Sequence, residues 1–325
     1  MWKRAVAILG SLALLGVNGT LAGQAAPSDA PADMKFLGTI AAGTNPTGVA
    51  VNPRTNRVYI ANLGTNTVTK ADGTTGQAIS VITVGSAPDN LAVDPQTNRI
   101  FVANNGDATV SVIDGSSDQV RATIPVGHGP WGIAANPHTS RVYVTDSTDG
   151  LLSIINEVDN TVITAVGVGT TPQGVAVDPN LNMIYVANYG SGTVSVIDGN
   201  TNQVVSTITV GGAPYDVAVN PDTARVYVSD FSRGIVTKID AKTNQIADTI
   251  TVGGSLTGIA VDRVKNYIFV ATYTANTLSE INGKTEVIRA TLGTGASPIG
   301  VAVDPSIARV FVANSNEADV SAFAE

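Results

Sequence analysis

The sequence of 325 residues contains no cysteine and only two histidines. Without cysteine there is no disulfide framework, no thiolate metal site, no cysteine nucleophile and no lipidated N-terminal cysteine. The scarcity of imidazole side chains further disfavours a zinc site. No haem-attachment or axial-ligand motif is present, and no glycine-rich loop precedes a helix. We therefore expect no cofactor and no bound metal.

Charged and aromatic residues are also scarce, at 14% and 5% of the chain. Acidic residues outnumber basic residues by 26 to 18, which gives a formal net charge of −8. Nucleic-acid binding needs a basic stripe that neutralises phosphates, so no nucleic-acid partner is expected. Apolar residues make up 43% of the chain and recur periodically, which excludes disorder.

The longest apolar run lies near the N-terminus, over Ala5–Leu15, and follows Lys3 and Arg4. The basic start, the apolar run and the small residues after it follow the order of a secretory signal. This run is too short to span a bilayer. We expect residues 1–26 to be a cleaved signal peptide and residues 27–35 a linker. The mature protein is then exported without a membrane span, to the periplasm, the cell surface or the medium. An uncleaved N-terminal anchor is the alternative.

A spacing of 42 residues organises the rest of the chain. Prolines mark six of its seven units and a leucine occupies the remaining slot: Pro46, Pro88, Pro130, Pro172, Pro214, Leu256 and Pro298. Length alone suggests about two domains. A repeat this regular instead favours one closed array of seven units.

Each unit contains four short β-rich runs bounded by Gly, Pro, Asn or Asp. In the fourth unit these runs are 175–179, 183–188, 193–199 and 203–208. Four strands in about 42 residues match one blade of a β-propeller. Each recurring Asn-Pro or Asp-Pro pair is interpreted as a turn, because an Asx side chain accepts a backbone N–H and proline presets φ.

The seventh unit lacks its fourth strand, and the missing strand occurs at the other end of the array. The unit ends with Asp319–Phe323, whereas Phe36–Ile40 lies one period before the strand that ends at Ile82. Pairing of these two segments closes the ring and leaves no exposed sheet edge at the chain ends. We predict one all-β domain over residues 36–325, a seven-bladed β-propeller of four-stranded repeats whose last blade is closed by an N-terminal strand.

The second strand of the units carries a recognisable motif. It reads Tyr-Val-Ala-Asn at Tyr185–Asn188 and Tyr-Val-Thr-Asp at Tyr143–Asp146. In the fourth unit it follows the segment Pro-x-Gly-Val-Ala-Val-Asx-Pro at residues 172–179. These repeats resemble the YVTN-repeat β-propeller family, which is also described from surface-layer proteins. The resemblance covers residues 36–325 and implies seven blades and export to a surface or periplasmic setting. It implies no single reaction.

Positions that depart from the repeat are candidates for a site, because those that keep it belong to the scaffold. In a propeller, the loop before the first strand and the loop after the second strand share one face. Five aromatic side chains fall in these loops of units three to six: Trp131, Tyr189, Tyr215, Phe231 and Tyr273. Rings around a concave mouth offer stacking to a sugar, a peptide or a small ligand. Packing between neighbouring loops is the alternative.

Polar candidates for ligand binding lie in the same loops: Asp89, Asn90, His128, Gln173, Asp216 and Arg233. Asn90 and Asp216 stand where the other five units have glycine. His128 is a candidate base or ligand, although a lone loop histidine is more often inert. Arg233 is expected to pair with a carboxylate or to stack on a ring.

A calcium-like ion between four aspartates is an alternative use of this face: Asp89, Asp146, Asp216 and Asp230. Two of these residues occupy the regular Asn or Asp position of the repeat, so loop hydrogen bonding is the preferred interpretation. A series of strand arginines also follows the period: Arg57, Arg99, Arg141, Arg225 and Arg309. We expect each to make one contact within its own blade, to the turn Asx residue.

Three functions are open at this point. The leading hypothesis is a non-enzymatic exported protein, monomeric, that binds a partner protein, a glycan or a small ligand through the aromatic face. The alternative is a hydrolase or lyase of the lactonase type, with Asp89, Asp216 and His128 at the channel mouth. A structural component of a surface layer is the third. The lack of a convincing catalytic set favours the binding protein.

Overall fold

The computed structural model describes residues 34–325 of the chain. The predicted signal peptide (1–26) and the predicted linker up to residue 33 lie outside the described residues. Regular structure within the described range consists of 28 β-strands, which confirms the all-β prediction. No helix in this range is both long enough and apolar enough to cross a membrane.

The strands form seven antiparallel sheets of four, which we number as blades in chain order. The first strand of the chain is β1 (Lys35–Ala41), and the others follow blade by blade. Blade 1 contains β2 (Pro46–Asn52), β3 (Arg57–Asn62), β4 (Thr67–Asp72) and β5 (Ala78–Thr83). Blade 2 contains β6 (Pro88–Asp94), β7 (Arg99–Asn104), β8 (Thr109–Asp114) and β9 (Gln119–Pro125). Blade 3 contains β10 (Pro130–Asn136), β11 (Arg141–Asp146), β12 (Leu151–Asn156) and β13 (Thr161–Gly167).

The remaining blades repeat this order. Blade 4 contains β14 (Pro172–Asp178), β15 (Met183–Asn188), β16 (Thr193–Asp198) and β17 (Gln203–Thr209). Blade 5 contains β18 (Pro214–Asn220), β19 (Arg225–Asp230), β20 (Ile235–Asp240) and β21 (Gln245–Thr251). Blade 6 contains β22 (Leu256–Asp262), β23 (Tyr267–Thr272), β24 (Thr277–Asn282) and β25 (Ile288–Gly293). Blade 7 contains β26 (Pro298–Asp304), β27 (Arg309–Asn314) and β28 (Asp319–Ala324), with β1 as its fourth strand.

The two ends of the propeller domain share blade 7, as the repeat predicts. Strand β1 pairs antiparallel with β28, and the register joins Phe36 to Phe323 and Ile40 to Val320. The rings of Phe36 and Phe323 meet edge to face with centroids 5.6 Å apart. The innermost strand of each blade packs against that of the next blade, and β26 packs against β2. The seven blades therefore form a closed ring, and the predicted seven-bladed propeller is confirmed.

The core lies between the blades. The second and third strands of each blade are covered on both faces by the neighbouring blades, so they read as nearly continuous apolar runs. Tyr185 of blade 4, for example, belongs to one buried cluster with Val196 of its own blade and Val226 of blade 5. The fourth strands are mostly exposed. This packing fixes the inner strands around the axis, where their side chains meet.

The Asx residues of the first turns cap their turns in all seven blades. Asn136 accepts a hydrogen bond from the backbone N–H of His138 at 3.1 Å, and Asp178 accepts one from Asn180 at 2.9 Å. The same contact occurs at Asn52, Asp94, Asn220, Asp262 and Asp304. These side chains are therefore structural, as predicted.

The strand arginines differ from the prediction in their targets. Arg57 and Arg225 do make an ion pair within their own blades, but with the aspartates of the third turn, Asp72 and Asp240. The other three reach the next blade instead and donate to backbone carbonyls there: Arg99, Arg141 and Arg309. The prediction of one contact within the blade was wrong for these three because the long side chain spans the gap between sheets.

Candidate functional site

Register places the predicted site residues on one face of the ring. The first strand of each blade pairs at its start with the end of the second strand, as Pro130 pairs with Asp146 and Pro214 with Asp230. The residue after the phased proline and the residue after the second strand therefore share one face, which we call the upper face. The lower face is the opposite end, which carries the Asx-Pro turns.

Five rings on the upper face form one continuous group, which we call the aromatic cluster: Trp131, Tyr189, Tyr215, Phe231 and Tyr273. Trp131 and Tyr215 meet edge to face with centroids 5.1 Å apart, and Tyr215 stacks on Phe231 at 5.9 Å. Tyr189 lies 6.5 Å from Tyr215 and 6.3 Å from Phe231. Tyr273 lies 6.3 Å from Phe231. Four successive blades thus contribute to a single group of rings.

The aromatic cluster is distinct from the core. All five of its rings are only partly buried. Eight rings of the described chain are fully buried between blades: Tyr59, Phe101, Tyr143, Tyr185, Tyr227, Phe269, Phe311 and Phe323. Within residues 34–325, only Phe36 and Tyr267 remain outside both groups. In a protein with few aromatic residues, most rings that do not fill the core are therefore gathered in one place.

Two rings of the aromatic cluster also line a small cavity on the axis of the ring. Six of the seven inner strands contribute to the wall of this axial cavity: Thr47, Asp89, Asn90, Trp131, Tyr215, Asp216, Gly258, Ile299 and Gly300. Its volume is about 10 Å³, near the smallest space that holds one water molecule. Trp131 of blade 3 and Tyr215 of blade 5 meet in front of blade 4. These rings therefore narrow the central channel of the propeller at the level of the cavity.

Asp89 has the more strongly raised pKa of the two carboxyl groups in the cavity wall. No described residue donates a hydrogen bond to its carboxylate, and burial raises the pKa of Asp89 to about 7. At neutral pH this carboxyl is therefore divided between its protonated and ionised forms. A carboxyl with a perturbed pKa in the wall of a cavity is a candidate functional group.

Asp216 differs from Asp89 because its carboxylate is hydrogen-bonded. It accepts bonds from the backbone N–H of Val217 at 2.8 Å and of Ile259, in the next blade, at 3.2 Å. Burial raises the pKa of Asp216 to about 6, and these two donors oppose the increase. Burial also raises the pKa of Tyr215, with a further contribution from the negative charges of Asp89 and Asp216. Tyr215 therefore remains a neutral phenol.

Local backbone geometry explains why most blades have glycine where Asn90 and Asp216 stand. A Cβ on Gly132 would lie 2.2 Å from the backbone oxygen of Gln173 in the next blade. In blade 3 the first strand pairs with the second at Pro130 and then not again until Ile133. In blade 2 the first strand pairs at Pro88 and again already at Asn90. Blade 5 has the same earlier pairing, at Asp216. Only these two blades therefore make room for a side chain at this position.

Two predicted polar residues have their side chains engaged away from the cavity. The His128 side chain is 79% exposed, and its Nδ1 lies 3.1 Å from the carboxylate of Asp149. Arg233 donates from Nε to Asp230 at 2.8 Å and from its guanidinium to the carbonyl of Val210 at 2.6 Å. Pairing with a carboxylate was one of the two roles expected for Arg233. Neither His128 nor Arg233 lines the axial cavity.

Gln173 occupies the position of blade 4 that corresponds to Trp131 and Tyr215. Its backbone oxygen accepts a hydrogen bond from Thr145 at 2.7 Å. Its side-chain Oε1 is buried and has no hydrogen-bond partner among the described residues. Gln173 is not part of the cavity wall, so the structure brings together Asp89, Asn90 and Asp216 but leaves Gln173 beside them.

The two aspartates at the regular Asn or Asp position of the repeat, Asp146 and Asp230, accept hydrogen bonds within their own blades. Asp146 accepts a hydrogen bond from Ser153 at 2.7 Å, and Asp230 accepts bonds from the backbone of Ser232 and Arg233. Across residues 34–325, no three His, Cys, Asp or Glu side chains come close enough together to hold a metal ion.

Sequence reasoning missed four residues of the cavity wall. Two of them, Gly258 and Gly300, are the regular glycines of the repeat. The other two are Thr47 and Ile299. They stand at the same repeat position as Asp89, Trp131 and Tyr215, directly after the phased residue. The Thr47 hydroxyl donates to the backbone oxygen of Asp89 at 2.5 Å, which joins blade 1 to blade 2. Their repeat position was the available signal, but threonine and isoleucine are ordinary strand residues and did not stand out.

Comparison with known proteins supports the fold. No protein-family model matches the chain, and no curated protein matches it. The chain is similar to a solved chain of the hydrazine synthase of Kuenenia stuttgartiensis, with a TM-score of 0.80 and 19% sequence identity. The similarity covers 93% of this chain and 99% of the solved chain. At this identity the likeness shows the propeller fold alone, and membership of the YVTN-repeat family stays a prediction.

Proposed function

We propose that this chain is an exported, non-enzymatic binding protein that holds a partner protein, a glycan or a small ligand on the aromatic cluster. The observation that carries the proposal is the convergence of five partly buried rings from four successive blades. Rings with both an apolar body and a polar edge are well suited to recognition of sugars and peptides. The rings lie in or directly beside paired strands of the blades, and a surface that is ordered before binding loses less entropy when it binds.

A broad ligand screen tests this proposal. The purified chain is applied to a defined glycan array and to a displayed peptide library, beside the double variant Tyr189→Ala/Tyr273→Ala. Tyr267→Ala is the matched control, because this ring is partly buried but lies on the lower face beside Arg289. We expect ligands retained by the wild type and by the control but lost by the double variant. Equal retention by all three proteins would contradict the proposal.

The proposal includes export as a monomer. It is supported by the signal-like order of residues 1–26 and by the closed ring, in which the strands β1 and β28 pair with each other. Expression of the full chain should give a protein outside the cytoplasm whose first residue is one of residues 23–27, as determined by N-terminal sequencing. Light scattering should give one particle of monomer mass. Sheets or larger assemblies would favour the surface-layer alternative.

A second candidate function is hydrolysis or elimination at Asp89. One observation favours it: a carboxyl with a pKa of about 7 is suited to accept and return a proton. A panel of lactones and esters tests this candidate. Turnover that is lost in Asp89→Asn and follows one ionisation near pH 7 would support it, and no turnover on any member would exclude these substrates.

A further inference from the structure

The wall of the axial cavity is acidic and has no compensating cation among the described residues. Asp89 and Asp216 are its two ionisable carboxyl groups. No lysine, arginine or histidine of the described chain lines the space. Asp216 is satisfied by two backbone donors, whereas Asp89 has no donor among residues 34–325. The wall therefore leaves one carboxylate whose charge is not balanced.

Two rings share this wall with the carboxyl groups. Trp131 and Tyr215 both line the cavity, and they hold each other edge to face at 5.1 Å. Aromatic faces attract a cation through their quadrupole, and indole does so most strongly. A cation held over either ring face would gain this attraction in addition to that of the carboxylates. An anion or a guest that offers only acceptor atoms would meet repulsion from the carboxylates on this wall.

We propose that the axial cavity binds a primary ammonium group, so that the ligand of the aromatic cluster is an amine; this inference rests on the proposed binding function. A volume of about 10 Å³ admits a group of the size of water. An R–NH₃⁺ head has this size and supplies N–H donors for Asp89. A trimethylammonium or guanidinium group is larger and would not fit without movement of the rings.

The acidity of Asp89 agrees with this assignment. Burial without a donor raises the pKa of Asp89 to about 7, and an arriving ammonium group removes that penalty by pairing with the ionised form. The amine can be a small molecule or a lysine side chain of a partner protein, since both present the same ammonium head. The carbon chain attached to the head would then leave the cavity along the aromatic cluster.

The test uses the full chain with Trp2→Phe, so that Trp131 is the only tryptophan and reports on the cavity by its fluorescence. The probes are butylammonium, its neutral isostere 1-butanol, tetramethylammonium, sodium ion at equal ionic strength, and an N-acetylated peptide amide with one lysine. We expect saturable changes with butylammonium or the lysine peptide, or both, and at least tenfold weaker responses to the other three probes. The relative affinity of butylammonium and the peptide distinguishes the two sources of the amine.

Asp89→Asn should weaken butylammonium binding at least tenfold, because it removes the charge and keeps the shape. Asp222→Asn, in an exposed turn of the lower face, is the matched control and should bind as the wild type does. The probe series on the wild type remains informative if Asp89→Asn fails to fold. The inference would be overturned if butanol or sodium ion gave the same response as butylammonium. It would also be overturned if no amine gave a response, or if folded Asp89→Asn bound butylammonium as the wild type does. The proposed function would stand in all four cases if the screen still retains ligands through the aromatic cluster.

Discussion

Carboxyl groups on the two faces of the propeller have different environments. On the lower face, Asp114 accepts hydrogen bonds from the backbone of Ser116 and Ser117, and these donors lower its pKa. On the upper face, Asp89 meets no donor among the described residues, and burial raises its pKa to about 7. The lower face is built from repeated positions, whereas the cavity wall is built from positions that vary between blades. In this fold the repeated positions build the blades, and several departures from the repeat converge on the candidate site.

Two carboxyl groups of the lower face differ from Asp114 because their pKa is raised. Glu157 and Glu325 stand four blades apart at the repeat position that is glycine in four of the other five blades. Both side chains are buried, and burial raises the pKa of each to about 7. Each faces an aspartate of the preceding blade, Asp94 or Asp262, as well as a hydrogen-bond donor, Thr97 or Lys265. Departure from the repeat therefore perturbs acidity on both faces.

The largest effect is expected from Gly132→Ala, which tests the scaffold of the upper face. The new Cβ would meet the backbone oxygen of Gln173 at 2.2 Å, so the inner strands of blades 3 and 4 must separate. We expect a loss of about 3 kcal/mol in the free energy of unfolding, measured by denaturant titration. Gly167→Ala is the control, because no atom lies within 4 Å of its Cβ position. Equal stability of the two variants would contradict the packing argument.

Asp89→Asn tests the unbalanced carboxyl on the upper face. The folded-state pKa of about 7 lies above the unfolded value, so the wild type binds a proton on folding. The stability that this proton contributes is fully present below about pH 4 and is lost as the pH rises to about 7. At pH 8 we expect the variant to exceed the wild type by on the order of 2 kcal/mol, and at pH 4 to match it. A pH-independent difference in urea titrations would show that the acidity of Asp89 is ordinary.

Glu157→Gln makes the same test on the lower face. Burial raises the pKa of Glu157 to about 7, against the opposing contributions of Thr97 and Arg99. The wild type should therefore lose stability between about pH 4.5 and pH 7. We expect the variant to gain about 1.5 kcal/mol at pH 8 relative to pH 4. Glu317→Gln, on the surface, is the control and should show no such gain in stability. A gain in both variants would show that the pH dependence does not come from Glu157.

The smallest effect is expected at a regular turn. Asn136→Ala removes the acceptor for the backbone N–H of His138 and the donor to Asn182 of the next blade. Loss of such a cap costs about 1 kcal/mol. Asn136→Asp should restore the turn contact but not the link to Asn182, and should recover part of the thermal stability. Full recovery would show that the link between blades contributes nothing.

The repeat made the architecture predictable because each blade repeats the same turns and strands in the same order. The same period placed Trp131 and Tyr273 on one face, and the structure joins them through three other rings. What the period does not specify is the path of a side chain. Arg99 crosses to the next blade although Arg57 does not. The environment of Asp89 likewise depends on inner strands from six blades, and no single repeat encodes it.

The most direct test of the central claim is to measure ligand binding and stability together in Trp131→Ala/Tyr215→Ala, with a ligand found by the glycan or peptide screen. If these rings form a binding surface, affinity should fall at least tenfold while the free energy of unfolding changes by about 1 kcal/mol or less. If the rings only fill the space between loops, the variant should lose the 3–5 kcal/mol typical of a large core truncation. Such a loss, with ligand affinity unchanged in the folded fraction, would contradict the account.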